Sequence, residues 1–231
     1  MYAFDLNAQT WSALDATGDV RGHVGGTLYM FGGRDQEHKE LNKLYSFDTA
    51  TGACALLSSG ADGPPHRSYH SMVADAAAGR VRLRRVRRCR PPERPDAAAG
   101  RWERLPSPGE ACRPRGGPGL AVAGGKLWVV YGFGGEELDD VHCYDPATGW
   151  WSAVETAGDK PSPRSVFCAA GIGGQVVVFG DEVDPSDLGH LGAGKFSAEA
   201  FALDSGHGDR FVDAAVRRRG RGREHHPGLR G

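Results

Sequence analysis

Apolar residues in this chain come in short runs, rich in valine and aromatics and bounded by glycine, rather than at helical spacing. Three runs share one layout of diglycine, apolar strand and a further glycine. They are Gly25-Gly26-Thr27-Leu28-Tyr29-Met30-Phe31-Gly32, Gly124-Gly125-Lys126-Leu127-Trp128-Val129-Val130-Tyr131-Gly132 and Gly173-Gly174-Gln175-Val176-Val177-Val178-Phe179-Gly180. A second strand follows each, closing on aspartate: Tyr45-Ser46-Phe47-Asp48, Cys143-Tyr144-Asp145 and Phe201-Ala202-Leu203-Asp204. Tyr2-Ala3-Phe4-Asp5 matches that second strand alone. Short, β-rich, continuously apolar runs are what strands buried on both faces require. The pattern therefore predicts an all-β chain of repeated strand pairs.

Beyond each aspartate the pattern continues into a turn. Asp145, Gly149 and Trp151 show it in full, as do Asp96, Gly100 and Trp102; Asp5 keeps Trp11, and Asp48 keeps Gly52. Asp48, Asp96 and Asp145 are 48 and 49 residues apart. A period near 50 residues per four-stranded blade is that of kelch repeats, which predicts a kelch-type β-propeller. In this reading Asp and Gly make the outer turn and Trp packs between blades. The diglycines are expected where neighbouring blades crowd the central channel.

Composition agrees and removes some alternatives. Glycine is abundant, 35 of 231 residues, as many tight turns demand. A formal net charge of −1 gives no electrostatic basis for nucleic-acid binding. No stretch approaches the roughly 20 apolar residues of a membrane span, and no apolar N-terminal run reads as a signal peptide. Cys54, Cys89, Cys112, Cys143 and Cys168 are scattered without CxxC pairs, so reduced thiols in the cytoplasm (or nucleus) are expected.

Two places break the repeat. Residues 82–95, where a diglycine strand and its partner are due, carry seven arginines in fourteen positions. Permitted codons for this stretch, read one base later, encode Val-Phe-Gly-Gly, a loop and the start of the next strand, and the repeat resumes in register at Asp96. A frameshifted segment, not a basic arm, is the better reading, and 82–95 is not expected to pack as a blade. After Asp204 the Trp-bearing turn is absent, and residues 205–231 form a basic tail expected to be disordered or non-native. The first repeat interval, Asp5 to Asp48, is only 43 residues, and the chain starts inside a blade. Residues 1–204 are therefore read as one incomplete propeller with open edges and poor stability.

One loop carries a more specific resemblance: Phe179-Gly180-Asp181-Glu182-Val183-Asp184-Pro185-Ser186-Asp187-Leu188-Gly189-His190, running on to Lys195-Phe196. It resembles the plant specifier proteins (nitrile-specifier, epithiospecifier and thiocyanate-forming kelch proteins), with nitrile-specifier-like homologues most similar. Val141-His142-Cys143-Tyr144-Asp145 and the Pro114-Arg115-Gly116-Gly117-Pro118-Gly119 turn look typical of the same family. The resemblance covers roughly residues 1–80 and 96–204 and implies six blades, of which four to five are recognisable here. It further implies a lyase that steers glucosinolate aglucones toward nitriles or related products, with Fe(II) as cofactor.

The family places its iron on a Glu-x3-Asp-x3-His motif. Glu182 and His190 hold the outer positions, while the middle one is Ser186, so the resemblance shifts the second carboxylate to Asp187, with Asp184 the alternative. Two carboxylates and an imidazole suit Fe(II) with positions left open. The family's substrate pocket also uses arginine at the turns that lead into blades. Arg67 in Pro65-His66-Arg67-Ser68-Tyr69-His70 is the candidate catalytic group facing the substrate anion. Arg115 and Arg164 sit in matching turns and are read as structural arginines pairing across blades. The competing expectation is a non-catalytic kelch module that binds a protein partner through its loop face, since propellers host both.

Overall fold

The computed structural model describes residues 2–5, 10–13, 22–24, 26–61, 63–75, 80–84, 102, 105–106, 112–180, 182–184, 195–205 and 210–213. Every regular element among them is a strand. A first pair, β1 (Tyr2–Asp5) and β2 (Thr10–Ala13), is followed by a four-stranded antiparallel sheet of β3 (Gly22–Val24), β4 (Thr27–Phe31), β5 (Leu44–Asp48) and β6 (Cys54–Ser58). Next come the pair β7 (Ser71–Asp75) and β8 (Arg80–Arg84), and a second four-stranded sheet of β9 (Gly119–Ala123), β10 (Lys126–Phe133), β11 (Glu137–Asp145) and β12 (Trp150–Val154). The last sheet joins β14 (Cys168–Ile172), β15 (Gln175–Phe179), β18 (Ala200–Asp204) and β19 (Arg210–Asp213), with β13 (Ala157–Gly158) parallel on its edge. A small hairpin of β16 (Glu182–Asp184) and β17 (Lys195–Phe196) rises between β15 and β18.

The first strands of successive sheets, β3, β7, β9 and β14, lie side by side, so the sheets are arranged as blades about a common axis. Apolar residues between blades bind them together. Val130, Val141 and Cys143 of one blade meet Val176, Val178, Phe201 and Leu203 of the next, all buried. Each such side chain contributes about 1.5–3 kcal/mol relative to exposure. On the opposite face of the β9–β12 blade, Leu120, Leu127, Val129 and Tyr144 pack with Val73, Leu105 and Trp151. The repeat tryptophans behave as the pattern requires: Trp151 donates to the Pro106 carbonyl at 2.9 Å, and Trp102 stacks edge-on against Phe31. The outer turn is also as expected, with Asp145 Oδ1 accepting from the Ala147 amide and Gly149 donating to the Asp145 carbonyl.

The diglycines have a different task from the one the pattern suggested. Ala123 pairs with Lys126, which leaves Gly124 and Gly125, at φ 58° and 73°, as the two central residues of a hairpin turn. Positive φ at both positions is the primed geometry that matches strand twist, and glycine adopts it without strain. Close approach between blades falls instead on Gly171 of β14: a Cβ there would lie 1.8 Å from the Val122 carbonyl oxygen of β9. Gly171→Ala is expected to destabilise the chain by about 1–3 kcal/mol or more through overpacking against backbone. Ile172→Ala, next to it but 60% exposed, is expected to shift the urea midpoint little.

The two irregular regions take definite positions where they are described. Residues 82–84 of the arginine-rich stretch complete β8, with Arg84 opposite Ser71; residues 85–95 lie outside the described residues. Past the Asp204 boundary, β19 continues the last sheet, with Arg210 opposite Asp204 and Asp213 opposite Phe201. Residues 206–209 and 214–231 of the tail lie outside the described residues.

Candidate functional site

The turn leading into a blade and the loop between its second and third strands emerge at the same end, because antiparallel strands return there. Three lead-in turns share one geometry. The Nε of Arg67 donates to the Pro65 carbonyl, that of Arg115 to Arg113 and that of Arg164 to Ser162, each two residues back. All three side chains are buried, at 7%, 1% and 1% exposure. The carbonyls of Arg67 and Arg164 reach the preceding blade, Gly33 N–H donating to Arg67 O and Gly132 N–H to Arg164 O, both at 2.9 Å. Ser68 and Ser165, just after two of the arginines, donate to Glu40 and Glu137 of the preceding blade. The backbone and the serine therefore bridge blades, while the Arg115 guanidinium bonds Tyr131 and Asp140 of its own blade.

Arg115 shows this most fully. It grips both carboxylate oxygens of Asp140, within β11, and donates to the Tyr131 carbonyl. Asp140 in turn accepts from His142 Nε2 at 2.7 Å. Burial favours the protonated carboxyl, but the hydrogen bonds from Arg115 and His142 outweigh it and hold Asp140 well below the usual carboxylate range. For His142, burial favours the neutral ring, yet its bonds to Asp140 and Cys112 push it up to about 9. Arg164 is placed alike over the Phe201 ring, with Glu199 at 3.9 Å and the Gly180 carbonyl at 3.5 Å. Arg67 lies over Phe31 at 6.0 Å.

Above the arginines, the turns are stitched into a rim. Gly117 N–H donates to Tyr69 O and Val166 N–H to Gly117 O, so three consecutive blades are linked through one residue each. Those residues have φ of 50° (Tyr69), 56° (Gly117) and 60° (Val166). Left-handed backbone is strained for tyrosine and more so for β-branched valine. Both side chains are exposed at the mouth, with Arg34 5.2 Å over the Tyr69 ring.

The loop singled out by sequence is rooted at this same end. Gly180, where it departs, donates to the Glu199 carbonyl and accepts from Arg164. Glu182 pairs with Phe196 and Asp184 with Lys195, so the hairpin closes the base of the excursion. Asp187 and His190 lie outside the described residues, so the candidate ligand set is placed only through Glu182's strand. Among the described residues no cluster of three or more His, Cys, Asp or Glu is arranged to hold a metal.

Known proteins resolve the family. The KLHDC2/KLHL20/DRC7 kelch-repeats domain model matches residues 1–180. The N-(sulfonatooxy)prop-2-enimidothioate sulfolyase of Thlaspi arvense is 38% identical over 240 aligned positions, covering 89% of this chain and 68% of that protein. The chain belongs to the kelch-repeat specifier family. Broader kelch similarity extends to Kelch domain-containing protein 3 of Bos taurus, 25% identical over 78% of this chain and 53% of that protein. Host cell factor homolog hcf-1 of Caenorhabditis elegans is 31% identical over 43% of this chain and 12% of its own length. The specifier-family chain thus spans about two thirds of the Thlaspi relative and half of the bovine one.

Sequence reasoning missed two features of this specifier-family chain. Tyr131 stands where the other repeats have Gly32 and Gly180, at φ 54° and fully buried, its hydroxyl donating to the Pro161 carbonyl. The substitution of tyrosine for a repeat glycine was visible in the alignment of the blades. The Cys112–His142–Asp140–Arg115 cluster carried no spacing signal, since its members come from two separate elements.

Proposed function

We propose that this specifier-family protein acts on N-sulfonatooxy imidothioates, the aglucones released from glucosinolates, directing their breakdown to nitriles or related products with Fe(II). Support comes chiefly from the root of the Glu182 hairpin, where Gly180 accepts from buried Arg164 at the end of the blades that carries the lead-in turns, in a chain 38% identical to a sulfolyase named for such a substrate. Glu182, Asp187 and His190 would hold the iron; the donor chemistry fits a ferrous ion with room for sulfur. When bound, iron supplies a Lewis acid with affinity for a thiolate. Arg67 would orient the substrate's anionic end through a bidentate guanidinium, and the rim side chains Tyr69 and Val166 would exclude water from its apolar chain. No helix among the described residues is long and apolar enough to cross a membrane. Cys54, Cys112, Cys143 and Cys168 form no disulfides, which suits our placement in the cytoplasm or nucleus.

Anaerobic Fe(II) titration of the full chain tests the reading. Saturable binding to the wild type, weakened at least roughly tenfold by Glu182→Ala and by His190→Ala, is expected from the loss of one of three ligands. Binding that both variants leave unchanged would remove the iron site from this loop. A protein-binding role without catalysis is the second reading, favoured by exposed Tyr69, Phe133, Val166 and Phe196 around the same loops. Absent iron binding would leave that alternative standing.

A further inference from the structure

Each lead-in turn places a left-handed residue two positions after its arginine: Tyr69 after Arg67, Gly117 after Arg115 and Val166 after Arg164. The conformation is therefore part of the blade plan, and glycine adopts it without strain. Gly117 shows that the turn, its arginine and the rim hydrogen bonds all form with glycine in place. Valine is the opposite case. A β-branched side chain at φ 60° is a conformational outlier, and such strain persists only where the surroundings or the function hold it.

Packing does not explain the valine. Tyr131, also left-handed, is fully buried and wedged between blades, whereas Val166 is 65% exposed beside buried Arg164 and Ser165. Its isopropyl group gains little from the fold, yet its place at the mouth is closely fixed. The Val166 amide donates to the Gly117 carbonyl at 2.8 Å, and Arg164 of the same turn reaches the Gly180 carbonyl, where the Glu182 hairpin leaves its sheet. Across Gly117 stands Tyr69, the other strained and exposed rim residue. Gly117 has no side chain, and a Cβ there would lie 2.9 Å from Val166 Cγ2. The rim is thus an apolar strip of aromatic ring, bare backbone and branched aliphatic group.

We propose that Val166, with Tyr69 on the far side of Gly117, is a specificity-determining residue that contacts the variable side chain of the sulfonatooxy substrate and favours aliphatic and arylalkyl groups over polar ones. Covering an exposed isopropyl group and phenol ring with an apolar tail releases water from both surfaces. A polar tail would lose its own hydration on this strip and find no matching partner there. Because the substrate's anionic end is taken to sit at the same mouth, this assignment rests on the function proposed above.

Stable alkyl sulfates share the anion and the apolar tail, so methyl, butyl and hexyl sulfate serve as probes, titrated into the full chain and followed by NMR shifts. Hexyl sulfate is expected to bind at least roughly tenfold more tightly than methyl sulfate, from the tail methylenes that leave water. Val166→Gly is expected to cut that gain at least about threefold, while methyl sulfate binds within about twofold of wild type. Its urea midpoint should be unchanged or raised, because glycine relieves the backbone. A clear fall in the midpoint would make Val166 a structural residue and overturn the assignment. A tail-length gain that Val166→Gly leaves intact would overturn it too, with the sulfonatooxy reading still standing. Failure of every sulfate to bind, methyl sulfate included, would overturn both.

Discussion

Arg115→Leu is expected to lower the folding free energy of this chain by about 3 kcal/mol, read from the midpoint of urea unfolding. The guanidinium is fully buried and makes two bonds to Asp140, so its removal strands a carboxylate whose charge the surroundings were built to balance. The lower end of the usual 3–5 kcal/mol range applies, because Asp140 keeps partial contact with water. The same cluster gives stability a definite pH dependence. His142 has a folded pKa above its unfolded value, so its contribution is full below about 6.5 and is lost as pH rises through about 9. Asp140 is shifted the other way: its contribution is present above about 3.9 and lost only in stronger acid. Denaturation midpoints should therefore fall between pH 6 and pH 9.5, and His142→Gln should flatten that fall. A wild-type midpoint that rises over this interval would contradict the charge assignment.

Tyr131 carries the second large effect. Its ring is fully buried against Phe167 at 6.5 Å, between the β9–β12 and β14–β19 blades, and its hydroxyl, pushed to high pKa by burial, bonds the Pro161 carbonyl. Tyr131→Gly restores the residue type of the other repeats and relieves a left-handed backbone worth about 1 kcal/mol. It also empties a tyrosine-sized space, which costs about 3–5 kcal/mol, so net destabilisation near 2–4 kcal/mol is expected. Tyr131→Phe keeps the packing and loses one hydrogen bond, about 1 kcal/mol. If the glycine variant proved as stable as wild type, Tyr131 would be a tolerated exception and not a wedge between blades.

These effects belong to contacts between elements far apart in the chain, and that is where reading the sequence stopped. The strands themselves were legible because each repeat states its own pattern: apolar run, aspartate, glycine, tryptophan. Local rules suffice for such features, since Asp145 forms its turn with residues two and four places away. The lead-in arginines were also visible, yet their environment was not. Arg67, the candidate substrate-facing group, is held in the lead-in geometry that Arg115 and Arg164 share, which no local pattern stated.

The sequence by itself determined the blade plan and the family. Those are statements about residue type at fixed spacing, which a repeat writes many times over. Tertiary structure decided which glycines serve turns and which admit a neighbouring strand, since only the meeting of β9 and β14 distinguishes Gly171 from Gly124. It also decided that Arg115, Asp140 and His142 form one charged cluster. Their union depends on a lead-in segment folding back over a strand some 25 residues later in the chain, and hydrogen-bond distances of that kind arise only once the blades have packed.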